Sequence, residues 1–96
     1  MSFEKSFNVT SVRYPDKIYT SADQFWVDCE PEVTGAANAA FKADGRILET
    51  SSVLDAGGKS LTYTKVYFNE EAYQQFRTEH ESAIRENLIV CNFTPI

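Results

Sequence analysis

The stretch from Leu61 to Phe93 constrains this chain most, because its side-chain period changes twice: LTYTKVYF, then NEEAYQQFRTEHESAIREN, then LIVCNF. Leu61 to Phe68 is rich in β-branched and aromatic residues, which suit a pleated, half-buried strand. Alternation sets Leu61, Tyr63, Lys65 and Tyr67 on one face and Thr62, Thr64, Val66 and Phe68 on the other. At Asn69 the period changes. An Asn side-chain oxygen can accept from a backbone amide of the first helical turn, so Asn69 suits an N-cap. Glu70 and Glu71 then place negative charge at the positive end of the helix dipole. Tyr73, Phe76, Ala83 and Ile84 recur at helical spacing, with Ala72 beside them and His80 on the same stripe. Asn87 ends the pattern, and Leu88 to Phe93 resumes extended character. The unit reads as strand, capped helix, strand.

A unit of this kind buries one side only if the rest of the chain supplies the opposing layer. Phe7 to Tyr14 reads as a first strand, stopped by Pro15 and Asp16. Tyr19, Phe25, Trp26 and Val27 make residues 17 to 28 too apolar for a solvated loop. This segment is expected to lie against the body with a short extended piece at Gln24 to Asp28, the alternative being a helical turn capped by Ser21. Pro31 suits the first turn of the next helix, with Glu30 and Glu32 at its dipole-favoured end. Val33, Ala36, Ala37, Ala40 and Phe41 form its narrow apolar stripe, and Gly45 its C-terminal cap. Ile47 to Leu54 is the second strand, and DAGGKS at 55 to 60 is a hairpin connection into Leu61. Gly57-Gly58 is no phosphate loop, since neither the following helix nor a Gly-Lys-Ser/Thr run is present.

The order β–α–β–β–α–β is that of the ferredoxin-like split βαβ arrangement: a four-stranded antiparallel sheet with two helices on one face, in a single domain over residues 1–96. Apolar residues on both faces of the strands imply a further layer on the open face. A second copy of the chain is the expected cover, with Tyr63, Tyr67 and Val66 at the interface.

Composition narrows the function classes. The net charge of −5, with the acids spread along the chain and no basic cluster, argues against nucleic-acid binding, which rests on gathered Lys and Arg. MSFEKSF lacks the apolar segment of a signal peptide, and no run approaches the ~20 apolar residues of a membrane span. The expectation is a cytoplasmic protein without membrane contact. Cys29 and Cys91 have no metal-ligand spacing and read as small buried hydrophobes. A single histidine, His80, leaves no readable Cys–His or Ser–His–Asp set, and no metal site or cofactor is expected.

GRILETSSVL followed by LTYTKVYFNEEAYQQF resembles the dimeric α/β-barrel superfamily, whose antibiotic-biosynthesis-monooxygenase-like domains are the best known group. A strand ending in an aromatic, then Asn or Ser, two acids, Ala and two aromatics, is common there. The likeness covers about residues 45 to 80. VRYP, PEV opening a helix and KADGRI are similar to small uncharacterised proteins of tailed phages of marine bacteria. The resemblance implies a dimeric barrel. It admits cofactor-free and haem-degrading monooxygenases, small-molecule isomerases and members without known activity. The haem-degrading type uses an Asn on the first strand, a Trp at the end of the third strand, and a His on the second helix as iron ligand. Here Asn8 and His80 approximate two of these, Phe68 stands where the Trp belongs, and Trp26 lies elsewhere. Asn8, Trp26, Phe68 and His80 are therefore the candidate ligand-binding residues. The reading that follows is a noncatalytic, phage-encoded accessory protein that acts as a homodimer, with a host protein as further partner. The alternatives are a small oxygenase or isomerase, haem-binding in one form, that uses the helix–sheet cavity, and a structural component of a larger particle.

Overall fold

The computed structural model describes residues 1–29 and 32–96, the side chains of 32–34 and 82–89 lying outside the described set. In chain order the elements are β1 (Phe3–Ser11), α1 (Ala22–Cys29), α2 (Glu32–Ala43), β2 (Ile47–Leu54), β3 (Ser60–Tyr67), α3 (Glu70–Val90) and β4 (Cys91–Pro95). The strands form one antiparallel sheet in the order β2-β3-β1-β4. The chain is thus an α+β domain with an open four-stranded sheet and three helices, compatible with a ferredoxin-like arrangement.

The register explains which face the helices take. Phe3, Phe7 and Val9 pair with Tyr67, Tyr63 and Leu61, so the largest side chains of the two central strands share one side. All three helices pack there, in two groups. Phe25 and Cys29 of α1 close over Val9, Leu61 and Cys91, while Phe41 of α2 and Ala72 and Phe76 of α3 close over Ile47 and Tyr67. Lys65, directly opposite Lys5, lies in this covered face and is 5 % exposed. Its Nζ sits 3.6 Å from the centroid of the Phe76 ring, a cation–π contact that offsets part of the cost of burying the charge.

The other face differs from expectation. Ser6, Asn8 and Thr10 of β1 pair with Thr64, Thr62 and Ser60 of β3, giving the two central strands a surface of hydroxyls and an amide in place of an apolar one. Ser6 Oγ and Thr64 Oγ1 are 2.9 Å apart within it. Such a face is compatible with water, so it needs no cover on the ground of apolar area alone.

Several boundaries also move. β1 begins at Phe3 and ends at Ser11 because the amides of Val12 and Arg13 turn away to the Val90 carbonyl and that of Tyr14 to Ser11 Oγ. Residues 22 to 29 are helix, as in the capped alternative: Ser21 Oγ accepts from the Gln24 amide at 3.2 Å, and helical spacing buries Phe25 and Cys29 together. An extended segment would have put Val27 on the same side as both, whereas Val27 is 83 % exposed. The expected start of α2 at Pro31, with Glu30, lies outside the described residues. Within α2, Ala37 and Phe41 are buried whereas Ala36 and Ala40 face solvent, so the apolar stripe is narrower than its sequence suggests. Gly45 (φ 84°) closes the helix in the left-handed conformation that favours glycine. Asn69 caps α3, its Oδ1 accepting from the Ala72 amide at 2.8 Å. α3 then runs to Val90 with a kink at His80 (φ −124°, ψ 22°), which leaves β4 at Cys91–Pro95 and not at Leu88–Phe93.

Candidate functional site

The strand alternation that buries Phe7 and Val9 turns Asn8 to the open face. There its Nδ2 donates to Asp55 Oδ2 at 3.2 Å. Ser60 Oγ donates to the same oxygen, and Thr62 Oγ1 donates to Asp55 Oδ1 at 3.1 Å. Asn8 therefore serves to hold the end of β2 and the hairpin against β1.

His80 lies on the helical side. Its ring packs against Phe41 and Phe76, with centroids 5.5 and 5.1 Å away. Its Nε2 is 3.9 Å from Glu79 Oε2, which in turn is 3.7 Å from Arg46 Nη1. The sheet thus separates Asn8 from His80, and no one ligand in the helix–sheet layer touches both. Phe68 stands just past β3, 59 % exposed, its amide bonded to the Arg46 carbonyl at 2.8 Å.

Trp26 belongs to the other core group. Its Nε1 donates to Ser52 Oγ on β2 at 2.9 Å, while its ring contacts Tyr63 on β3 and Phe93 on β4 at centroid distances of 5.1 and 6.3 Å. One indole therefore reaches across the sheet from one edge strand to the other and ties α1 down. Of the residues expected at an interface, Tyr63 packs in this group and Tyr67 is 1 % exposed beneath α3; Val66 alone faces outward, opposite Glu4 and Glu49. Burial drives the Tyr67 phenol well above the ordinary tyrosine range, the neighbouring Tyr63 and Tyr73 adding to it.

A polar set that sequence reasoning missed holds residues 17 to 28. Tyr19 Oη donates to Asp28 Oδ2 at 2.8 Å, and Lys17 Nζ meets the same oxygen at 2.5 Å. Burial, then the Asp28 bond, raises the Tyr19 phenol far above its ordinary value; the bonds from Lys17 and Tyr19 lower the Asp28 carboxyl. The nine-residue separation of Tyr19 from Asp28 matches no periodic pattern in the sequence; the helical path of α1 brings the two together. Cys29 and Cys91 are buried without a disulfide, and Cys91 Sγ approaches the Cys29 carbonyl at 3.3 Å.

Among the described residues no three of His, Cys, Asp and Glu gather as metal ligands would, and no helix is long and apolar enough to cross a membrane. Two exposed apolar residues, Leu48 and Phe68, meet at one corner. Leu48, the extra residue of a bulge in β2, is 54 % exposed, while Val53 at the other end of that strand is 64 % exposed. Phe68 lies at the adjoining end of β3 beside outward-facing Val66. No family model, no curated protein and no solved structure matches this chain.

Proposed function

We propose that this chain is a ferredoxin-like interaction protein, noncatalytic, that acts as a homodimer and in that form serves an accessory role toward a protein partner. The observation that carries the proposal is the corner formed by exposed Leu48 and Phe68 with half-buried Val66, next to the β2 edge of the sheet. Large outward aromatics and aliphatics on a small domain mark a contact surface, and they sit where a strand edge offers backbone groups as well. The chemical alternative draws less support. Asn8 and His80 lie on opposite sides of the sheet, and the Asn8 amide and Trp26 indole nitrogens are engaged by Asp55 and Ser52. A cofactor-free enzyme needs such groups to converge on one pocket.

Sedimentation equilibrium at tens of micromolar tests the proposal. The expected result is a species of twice the chain mass; a monomer throughout that range removes the homodimer.

A further inference from the structure

We infer that the homodimer forms by antiparallel pairing of β2 with β2 of a second copy, about a two-fold axis at Ser51, to give one continuous eight-stranded sheet. This inference rests on the homodimer reading above and names its surface.

The two edges of the sheet are unlike. β4 is five residues long and ends at Pro95, which has no amide to donate; short length and proline are two of the devices by which edges are blunted, and on β2 the bulge at Leu48 acts only at the start of the strand. β2 has eight residues and neither Lys nor Pro. Beyond its bulge, Glu49 to Leu54 pairs one-to-one with Val66 to Leu61 as a regular strand. Among the described residues, no backbone group other than those of β3 bonds to Leu48–Val53. A chain with one available edge closes after a single pairing, which yields a two-fold dimer and no filament.

The strand is also complementary to itself when reversed. Two-fold symmetry about an axis normal to the sheet requires facing residues to share a face, so the register must centre on a residue. Ser52 is held on the helical side by Trp26, and Ser51 is exposed on the open side. Centring on Ser51 keeps nearly the whole regular segment paired. Glu49 then faces Val53 of the second copy, and Leu48, beside Glu49 in the bulge, adjoins the same valine. Exposed apolar groups at opposite ends of one strand are thereby brought together. Glu49 is the single charge on β2, and the two copies of it fall four residue positions apart, about 13 Å along the strand direction. That exceeds a Debye length of about 10 Å, so the acidic strand does not repel its copy at physiological salt.

The test uses the full chain and three variants at exposed positions. Ser51→Cys places two thiols across the axis, where facing side chains are about 5 Å apart at Cβ, and mild oxidation should link two chains. Thr94→Cys on the opposite edge should not link. Ser51→Lys sets two ammonium groups face to face and should weaken the dimer at least tenfold in sedimentation. Val53→Lys places its charge opposite Glu49 of the second copy and should leave the dimer intact. A dimer that survives Ser51→Lys, with Ser51→Cys unlinked, overturns edge pairing and leaves the homodimer on another surface. A monomeric parent chain overturns both.

Discussion

Asn8 on β1 donates its side-chain amide to Asp55 beyond the end of β2, across the intervening strand β3, at 3.2 Å. With Ser60 and Thr62 donating as well, one half-buried carboxylate ties three strands at the hairpin end of the open face. Asp55→Ala should destabilise by about 2 kcal/mol, since bonds to a charged acceptor are lost and three donors lose their partner. Asn8→Ala removes one donor and should cost about 1 kcal/mol. Denaturant titration reads both; an Asp55→Ala midpoint equal to that of the parent would show the network to be ornamental.

Alkaline stability follows from Tyr19 and Tyr67. Both phenols are raised in the folded chain by burial, against about 10 when unfolded. Below pH ~10 both states hold these protons and the two groups leave stability unchanged. Above it the unfolded chain releases them and the folded chain does not, so stability falls with rising pH until the folded values are reached. Thermal unfolding between neutrality and pH ~11.5 should show this loss. Tyr67→Phe, which removes one titrating group, should make the loss shallower. An unchanged slope in that variant would refute the assignment.

Gly58 couples the hairpin to the segment before α1. Its φ is +70°, and an added Cβ would stand 2.6 Å from the Tyr19 carbonyl oxygen. The Gly58 carbonyl also accepts from the Tyr19 amide at 2.8 Å. Gly58→Ala should cost about 2 kcal/mol through left-handed strain and overlap. Gly57→Ala meets nothing within 4 Å and should be nearly silent. Equal melting temperatures for the two variants would contradict this.

Hemin should give no Soret displacement that depends on His80. The imidazole packs at steep ring angles against Phe41 and Phe76, with Asn8 beyond the sheet. Titration of the parent chain and of His80→Ala checks this. A displacement present in the parent and lost in the variant would restore the oxygenase reading.

Much of the architecture was legible because it rests on local signals. The alternation of Leu61–Tyr67, the Asn69 cap and the glycine at 45 act within a few residues, and each lies where its chemistry demands. What sequence could not supply was partnership across distance. FNVTSVRY and FEKSFNVTS alternate equally well, and the pairing of Phe3 with Tyr67 decides between them. The segment holding Phe25 and Trp26 is apolar in either conformation; the exposure of Val27 between buried Phe25 and Cys29 selects helix. For the candidate site, Asn8 and His80 were each placed on the correct element. Their separation by the sheet depends on which parity of β1 the helices cover, and that is fixed by the bulk of Phe7 and Val9 against Tyr63 and Leu61. Lys65 was assigned to the same face as Tyr67, yet its burial under Phe76 is set by where α3 lands.

The kink at His80 bears on how the last strand is aimed. Ten residues of helix follow it before Cys91, a lever of about 15 Å. Turning such a lever by about 20° moves its tip by about 5 Å, which is one strand spacing. The direction set at a single residue therefore decides whether the chain arrives alongside β1 in register, with Val9 facing Phe93, or one strand-width out in solvent. Substitutions at this joint would be felt at the far edge of the sheet before they are felt in the helix that contains it.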